Sequence, residues 1–290
     1  MSSEPAAAPL GSAGAPEEIN HARRFTTIWI VANVIFIPIV IFLIGPLLGP
    51  GDGSDQSSLQ GTDMTVLAVI ATPVILLVML YLPYALVYFR QPKGGMLEGP
   101  AIRGDARVQT AWIVITSLMV LGVAVFGTVE LEAPAGAGSG SGPTPLTVPS
   151  GPKLPVQVIA QQWLFTYRYP TYGGVETTNL ELPVGKTIEF HVTSLDVIHS
   201  FWAYQLGVKA DANPDVDNIA FAKPEKIETF SIHCGELCGI WHGAMKSKGK
   251  VVSEAEFETW IQSQQQRFAP ATKVLPPYSK TYLPEPTRRG

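Results

Sequence analysis

Three long apolar stretches, Phe25–Leu48, Met64–Phe89 and Val108–Val129, limit this chain more than any other feature. Each can cross a hydrocarbon layer of about 30 Å as a helix rising about 1.5 Å per residue. Pro38, Pro73 and Pro83 would break helices in water. Spanning helices tolerate proline where neighbours satisfy the freed carbonyls. Charged residues make up 15% of the chain and the apolar ones are clustered, so a membrane segment joined to a soluble part fits better than one globule. The net charge is −4 and no Lys/Arg-rich run occurs, which argues against a nucleic-acid partner.

The charges between the stretches give them a direction. Arg23 and Arg24 precede the first, and the connection to the second carries Asp52, Asp55 and Asp63 with no basic residue. The connection to the third carries Arg90, Lys93, Arg103 and Arg107, and Glu130 and Glu132 follow it. The positive-inside rule then puts the N-terminus in the cytoplasm and everything after about residue 130 outside. The first stretch exceeds a signal-peptide core and no A-x-A-like site follows Leu48, so it is expected to be a retained anchor. The expected organisation is a disordered segment (1–22), an anchor (23–132), a flexible linker (133–153), a β-domain (154–265) and an extended C-terminal tail (266–290).

Within the β-domain, Val156–Tyr169 is rich in β-branched and aromatic residues, and Thr187–Thr193 alternates. Ile188, Phe190 and Val192 share one face of that strand; Glu189 and His191 share the other, so His191 is expected at the solvent. Asn218–Ala222, Lys226–Ile232 and Gly249–Val252 are also strand-like. Short strands among Pro, Gly and Asn turns predict a small β-sandwich or barrel. Glu254–Gln264 reads as a short helix, with Ser253 as cap and Glu256 three residues on.

The chemistry is concentrated in Cys234-Gly-Glu-Leu-Cys238-Gly-Ile-Trp-His242-Gly-Ala-Met245. With only two cysteines in the chain a disulfide framework is excluded, although one local disulfide is possible. Sulfur with imidazole selects copper or zinc over magnesium or calcium, and a thioether three residues after a histidine favours a copper electron-transfer site. A mononuclear blue-copper site needs one cysteine. Two thiolates one loop-turn apart can bridge a copper pair, whose shared charge reorganises little when an electron arrives. Each copper then needs an imidazole. His199, in the turn after the Thr187–Thr193 strand, suits a loop closing over metal, whereas His233 would point away from its neighbour Cys234. Met245 is the one methionine of the soluble part.

These residues resemble the cytochrome c oxidase subunit II family, whose signature is Cys-x-Glu-x-Cys-x-x-x-His-x-x-Met with a preceding Asp-Val-x-His-Ser. Both stand here, as Cys234 to Met245 and Asp196 to Ser200, and the resemblance covers roughly residues 64–262. It implies two of the anchor helices and an all-β, cupredoxin-like Greek-key sandwich in the bacterial plasma membrane, so that with the first apolar stretch the expected fold is a three-helix membrane anchor plus that sandwich. It implies a binuclear copper centre (CuA) held by bridging Cys234 and Cys238, terminal His199 and His242, axial Met245 and the Glu236 carbonyl. The Glu236 side chain would reach a magnesium site shared with subunit I. Trp163, in Gln161-Gln-Trp-Leu-Phe, would be where electrons come in from cytochrome c, and Asp196, Asp211, Asp215 and Asp217 could form an acidic docking face. Electrons would pass to haem in subunit I, which reduces oxygen to water; subunit III is a further partner.

The chain departs from the family at three points. Phe165 replaces the second Trp of the aromatic run, an extra helix precedes the usual two, and Gln109 stands where many members carry a Glu at a proton path. Asp105 and Glu98 are the expected substitutes for that Glu. No C-x-x-C-H occurs, so the cytochrome donor is expected to be a separate protein or part of another subunit. The rivals are the electron-accepting subunit of a CuA-type nitric oxide reductase and, in a different class, a membrane-tethered copper carrier. A carrier needs exposed sulfurs, whereas Trp202 and Trp241 are expected to enclose these.

Overall fold

The computed structural model describes residues 19–90, 104–132 and 140–271. Three helices are long and apolar enough to cross a membrane. The first, α1 (His21–Ile39), contains Pro38 and continues as a π-turn over Val40–Ile44 and a 3₁₀ turn over Gly45–Leu47. A proline removes one N–H from the ladder, and widened turns re-pair the carbonyls around it. The second, α2 (Asp55–Tyr88), begins nine residues before the apolar stretch that marks it, because Ser54 and Ser57 form a reciprocal cap there. The third, α3 (Ala106–Glu132), buries none of its membrane-spanning window within this chain.

The first two helices pack side by side. At the N-terminal end of α1, His21 Nδ1 meets the Tyr84 hydroxyl at 2.8 Å, with Phe25 edge-on to Tyr81 and Tyr84. In the middle the Trp29 indole donates to the Pro73 carbonyl at 2.9 Å.

The β-domain is two five-stranded sheets face to face. One has the order β3-β2-β1-β5-β8, with β1 Lys153–Gln161, β2 Leu164–Tyr169, β3 Val175–Thr177, β5 Thr187–Ser194 and β8 Asn218–Ala222. The other runs β4-β10-β9-β6-β7, with β4 Leu180–Pro183, β6 His199–Ala203, β7 Val208–Ala212, β9 Thr229–Cys234 and β10 Lys246–Val252. Pairing is antiparallel except β1 with β5 and β4 with β10, the mixed pattern of a cupredoxin-like sandwich. Val156, Tyr167, Phe190, Phe201 and Phe230 fill the space between the sheets. A short helix, α4 (Glu254–Phe268), capped by Ser253 and Glu256 as expected, lies against β3 and β4. It buries Phe257 and Ile261 there, and a fully buried Phe is worth about 1.5–3 kcal/mol.

Two attachments join domain and anchor. At the start of α2, the Ser54 hydroxyl donates to Leu206 O at 2.7 Å, Gln60 donates to Gly207 O at 2.6 Å, and Lys226 pairs with Asp52. Part of the expected flexible linker is also bound. Gly140 N–H donates to Ile219 O at 2.7 Å, Ile219 N–H donates to Gly142 O at 3.1 Å, and the Asn218 amide reaches Gly140 O at 2.9 Å. This stretch pairs with the edge strand β8, whose outward N–H and C=O groups need partners.

His191 corrects the sequence reading. It is only 5% exposed and its Nδ1 lies 2.9 Å from Asp217. Alternation placed it correctly on the face away from the core, but that face is itself buried at Gln157, Arg168 and Thr193. Residues 1–18, 91–103, 133–139 and 272–290, with the expected disordered segment, Glu98 and most of the expected tail, lie outside the described residues.

Candidate metal centre

Soft donors gather at one end of the sandwich. β9 ends in Cys234, β10 begins just after Met245, and the loop between them closes on itself where Cys234 N–H donates to Met245 O at 3.0 Å. Gly235 N–H donates to Ser200 O at 2.9 Å, tying the loop to β6, which His199 opens. A 3₁₀ turn, His242–Ala244, then aims His242 and Met245 back at the cysteines.

Cys234 and Cys238 have their Sγ atoms 3.7 Å apart and are not bridged. That separation far exceeds the roughly 2.05 Å of a disulfide. Each sulfur has its own imidazole: His199 Nδ1 is 3.8 Å from Cys234 Sγ, and His242 Nδ1 is 3.6 Å from Cys238 Sγ. Met245 Sδ lies 3.8 Å from Cys238 Sγ, and the Glu236 carbonyl oxygen 3.2 Å from Cys234 Sγ. The donor atoms of His199, Cys234 and Cys238 all fall within 4.8 Å of one another. Two thiols, two imidazoles and a thioether around one small volume form a donor set suited to copper.

The sulfurs are enclosed, at 8% exposure for Cys234, 3% for Cys238 and 2% for Met245. Burial, with Cys234 alongside, pushes the Cys238 thiol up to about 11. The expected enclosing tryptophans are not the cause. Trp241 is exposed beside Leu237 and Ile240, and Trp202 packs against Tyr204 and His233. The half-buried ring at the site is Trp163, whose indole N–H donates to Cys238 O at 3.2 Å.

Two polar residues act here in ways the sequence reading did not assign. Asp196, expected on a docking face, faces inward: its Oδ1 lies 2.9 Å from His199 Nε2. Burial alone would raise its pKa. Bonds from the Gln162 and Val197 N–H groups and from His199, with the imidazole's charge, instead hold it below the usual carboxylate range. Gln162 donates its side-chain N–H to Cys238 O at 2.8 Å. Asp217 is likewise taken up by His191. The Glu236 carboxylate lies 3.8 Å from Lys209, and the His233 ring packs against Trp202.

A family model for the periplasmic domain of cytochrome c oxidase subunit II matches residues 175–252. Cytochrome c oxidase subunit 2 of Thermostichus vulcanus is 26% identical over 282 residues, covering 82% of this chain and 86% of the relative. A probable cytochrome c oxidase subunit 2 of Rickettsia prowazekii is 34% identical over 129 residues, covering 37% of this chain and 41% of that protein. Among solved structures, the periplasmic domain of subunit II of cytochrome oxidase (CoxB) of Bradyrhizobium japonicum shares 32% identity. The match covers 42% of this chain and 99% of that one, with a TM-score of 0.40.

Proposed function

The chain belongs to the cytochrome c oxidase subunit II family, and from that premise we propose that it is the electron-receiving subunit of a respiratory haem-copper oxidase, holding a binuclear copper centre. The observation that carries this reading is the pairing of two unbridged thiols 3.7 Å apart, each with its own imidazole Nδ1 within 3.8 Å. One tetrahedral ion could take both thiols and both imidazoles; it is the Met245 thioether and the Glu236 carbonyl beside them that offer a second ion its donors.

Cys234, Cys238, His199 and His242 would hold the copper pair, with Met245 and the Glu236 carbonyl as weaker donors. When bound, the copper pair supplies one-electron redox chemistry with its charge spread over both sulfurs. The protein supplies the shape. Asp196 accepts the His199 Nε2–H, which fixes the tautomer and leaves Nδ1 free for metal. The loop bonds Cys234–Met245 and Gly235–Ser200 hold the donors in place before metal arrives. Low exposure keeps water from the sulfurs and opposes the carrier reading, which needs exchangeable ligands.

Trp163 would accept the electron from cytochrome c, its ring resting on the ligand loop through the bond to Cys238 O. The exposed apolar rim of Leu237, Ile240, Trp241 and Ile198 would be covered by cytochrome or by subunit I, and α3 would pack on subunits I and III. For magnesium, Glu236 offers one carboxylate oxygen that must first leave Lys209, so further ligands would come from subunit I. The β-domain would lie outside the plasma membrane.

The decisive experiment is electron paramagnetic resonance on the copper-loaded chain, with its copper-to-protein ratio. Two coppers sharing one unpaired electron, seen as a delocalised multi-line hyperfine pattern, is the expected result. One copper with a four-line pattern, or zinc, would overturn it.

A further inference from the structure

We propose that Gln162 is a positioning residue for electron transfer, locking the Trp163 ring to the ligand loop and to the His199 turn together. The inference rests on the reading of Trp163 as the residue where electrons come in.

Gln162 is the residue at the site whose own groups bond both ligand-bearing segments. Its backbone N–H donates to Asp196 Oδ2 at 2.8 Å, while Asp196 Oδ1 receives His199 Nε2 at 2.9 Å. Its side-chain N–H donates to Cys238 O at 2.8 Å, the carbonyl that also receives the Trp163 indole N–H at 3.2 Å. Two donors on one carbonyl use both of its lone pairs. Cys238 is thereby held through its backbone carbonyl. The shorter bond is the one from Gln162, and without it the loop would keep only the longer indole bond at this carbonyl.

Gly239 is shaped to allow this. It sits at φ +116°, and a Cβ there would fall 3.0 Å from Gln162 Nε2 and 3.4 Å from Trp163 Cζ2. The next residues, Ile240 and Trp241, are exposed and the bonds around them are internal to the loop, as in His242 N–H to Gly239 O at 3.1 Å, so it is Cys238 O that ties this part of the loop to the β1–β2 turn. The ring's contact with the ligand loop therefore depends on the Gln162 clamp, and transfer through a ring depends on that contact.

The test is Gln162→Leu in the full-length, copper-loaded chain, which removes both amide functions at similar volume. Copper content and hyperfine pattern should match the parent. The rate of electron acceptance at saturating reduced cytochrome c should fall about tenfold, and KM should stay within about twofold. Gln162→Asn keeps the amide but shortens its reach, and should be impaired similarly. A rise in KM with unchanged rate would make Gln162 a docking contact and overturn the proposal. Loss of copper, or no change at all, would overturn it equally. Trp163→Leu separates the two readings: if it slows transfer while Gln162→Leu does not, only the clamp falls, and if neither matters, the role of Trp163 falls too.

Discussion

The Asp196 carboxylate receives both the ring of His199, proposed above as a copper ligand, and the backbone of Gln162, so its removal should be felt at copper binding. Asp196→Ala is expected to weaken copper binding by about 10–100-fold, read by competition titration, while Asp196→Asn, which still offers an oxygen to His199, should lose less. Equal affinity in all three proteins would show that His199 needs no orienting partner. A second carboxylate carries a pH effect. Burial raises the pKa of Glu228, with Lys226 opposing and Asp52 adding to it, and its Oε1 has no hydrogen-bond partner among the described residues. An acid with a raised folded pKa binds protons more tightly folded than unfolded, so stability falls as pH rises through the window above the unfolded value. Glu228→Gln should therefore raise Tm at pH 7 by about 1–2 °C, allowing for solvent screening, and the gain should vanish toward pH 4. At the other end of the molecule, Asp105 accepts the N–H groups of Arg107 and Val108 and so caps α3. Asparagine caps about as well. Asp105→Asn with Glu98→Gln should consequently slow proton uptake by the oxidase without melting the helix, and unchanged uptake would dismiss these two as substitutes for the Glu missing at Gln109. At this scale four of the gathered donors stood close together in the sequence, because Cys234, Cys238, His242 and Met245 share one loop, whereas His199 comes from a separate turn. The role of Gln162 could not be read there, because its bonds depend on how the β1–β2 turn meets the β9–β10 loop and the turn before β6; Asp196 stands three residues from His199, but spacing does not say which way its carboxylate turns.

Elements were readable where one period ruled them. The apolar stretches emerged as α1, α2 and α3, and β8 spans the same residues as its strand-like run. What escaped has local physical causes. The first turns of α2 are polar because they meet the β-domain rather than lipid, so hydropathy registers the helix only from Met64. The expected strand Val156–Tyr169 is a hairpin, β1 and β2, turning at Gln162 and Trp163. The Gly/Ser/Pro stretch after α3 reads as a flexible tether by composition, yet its glycines let the backbone lie against β8. Gly140 has φ +79°, and a Cβ there would collide with the Lys209 carbonyl. Gly140→Val should therefore detach this stretch and speed hydrogen exchange at the Ile219 amide by about tenfold or more, which corresponds to losing about 1.4 kcal/mol of local protection. Exchange as slow as in the parent would mean that the stretch does not hold the edge of β8.

At the scale of the whole molecule, the number of crossings decides which face of the membrane holds the metal centre. Three spanning helices put the two ends of the anchor on opposite sides, and two would put them on the same side. The positive residues Arg23, Arg24, Arg90 and Arg107 flank the ends of the helices that meet on one side, and Asp52, Asp55 and Asp63 lie at the other. The positive-inside rule predicts that the side rich in Lys and Arg faces the cytoplasm. The contacts of α1 with α2, from His21–Tyr84 through Trp29–Pro73, give the first helix a defined seat rather than a passing one. In intact spheroplasts, protease added from outside should remove the β-domain and leave an N-terminal epitope tag untouched, and the tag should be cut only after the membrane is opened. If the tag is absent from the mature protein, α1 has been cleaved and the chain crosses twice. If the tag is present and cut together with the β-domain from outside, the charge pattern has been outweighed, and the clamp at Ser54–Gln60 would have to act on the same side as both ends.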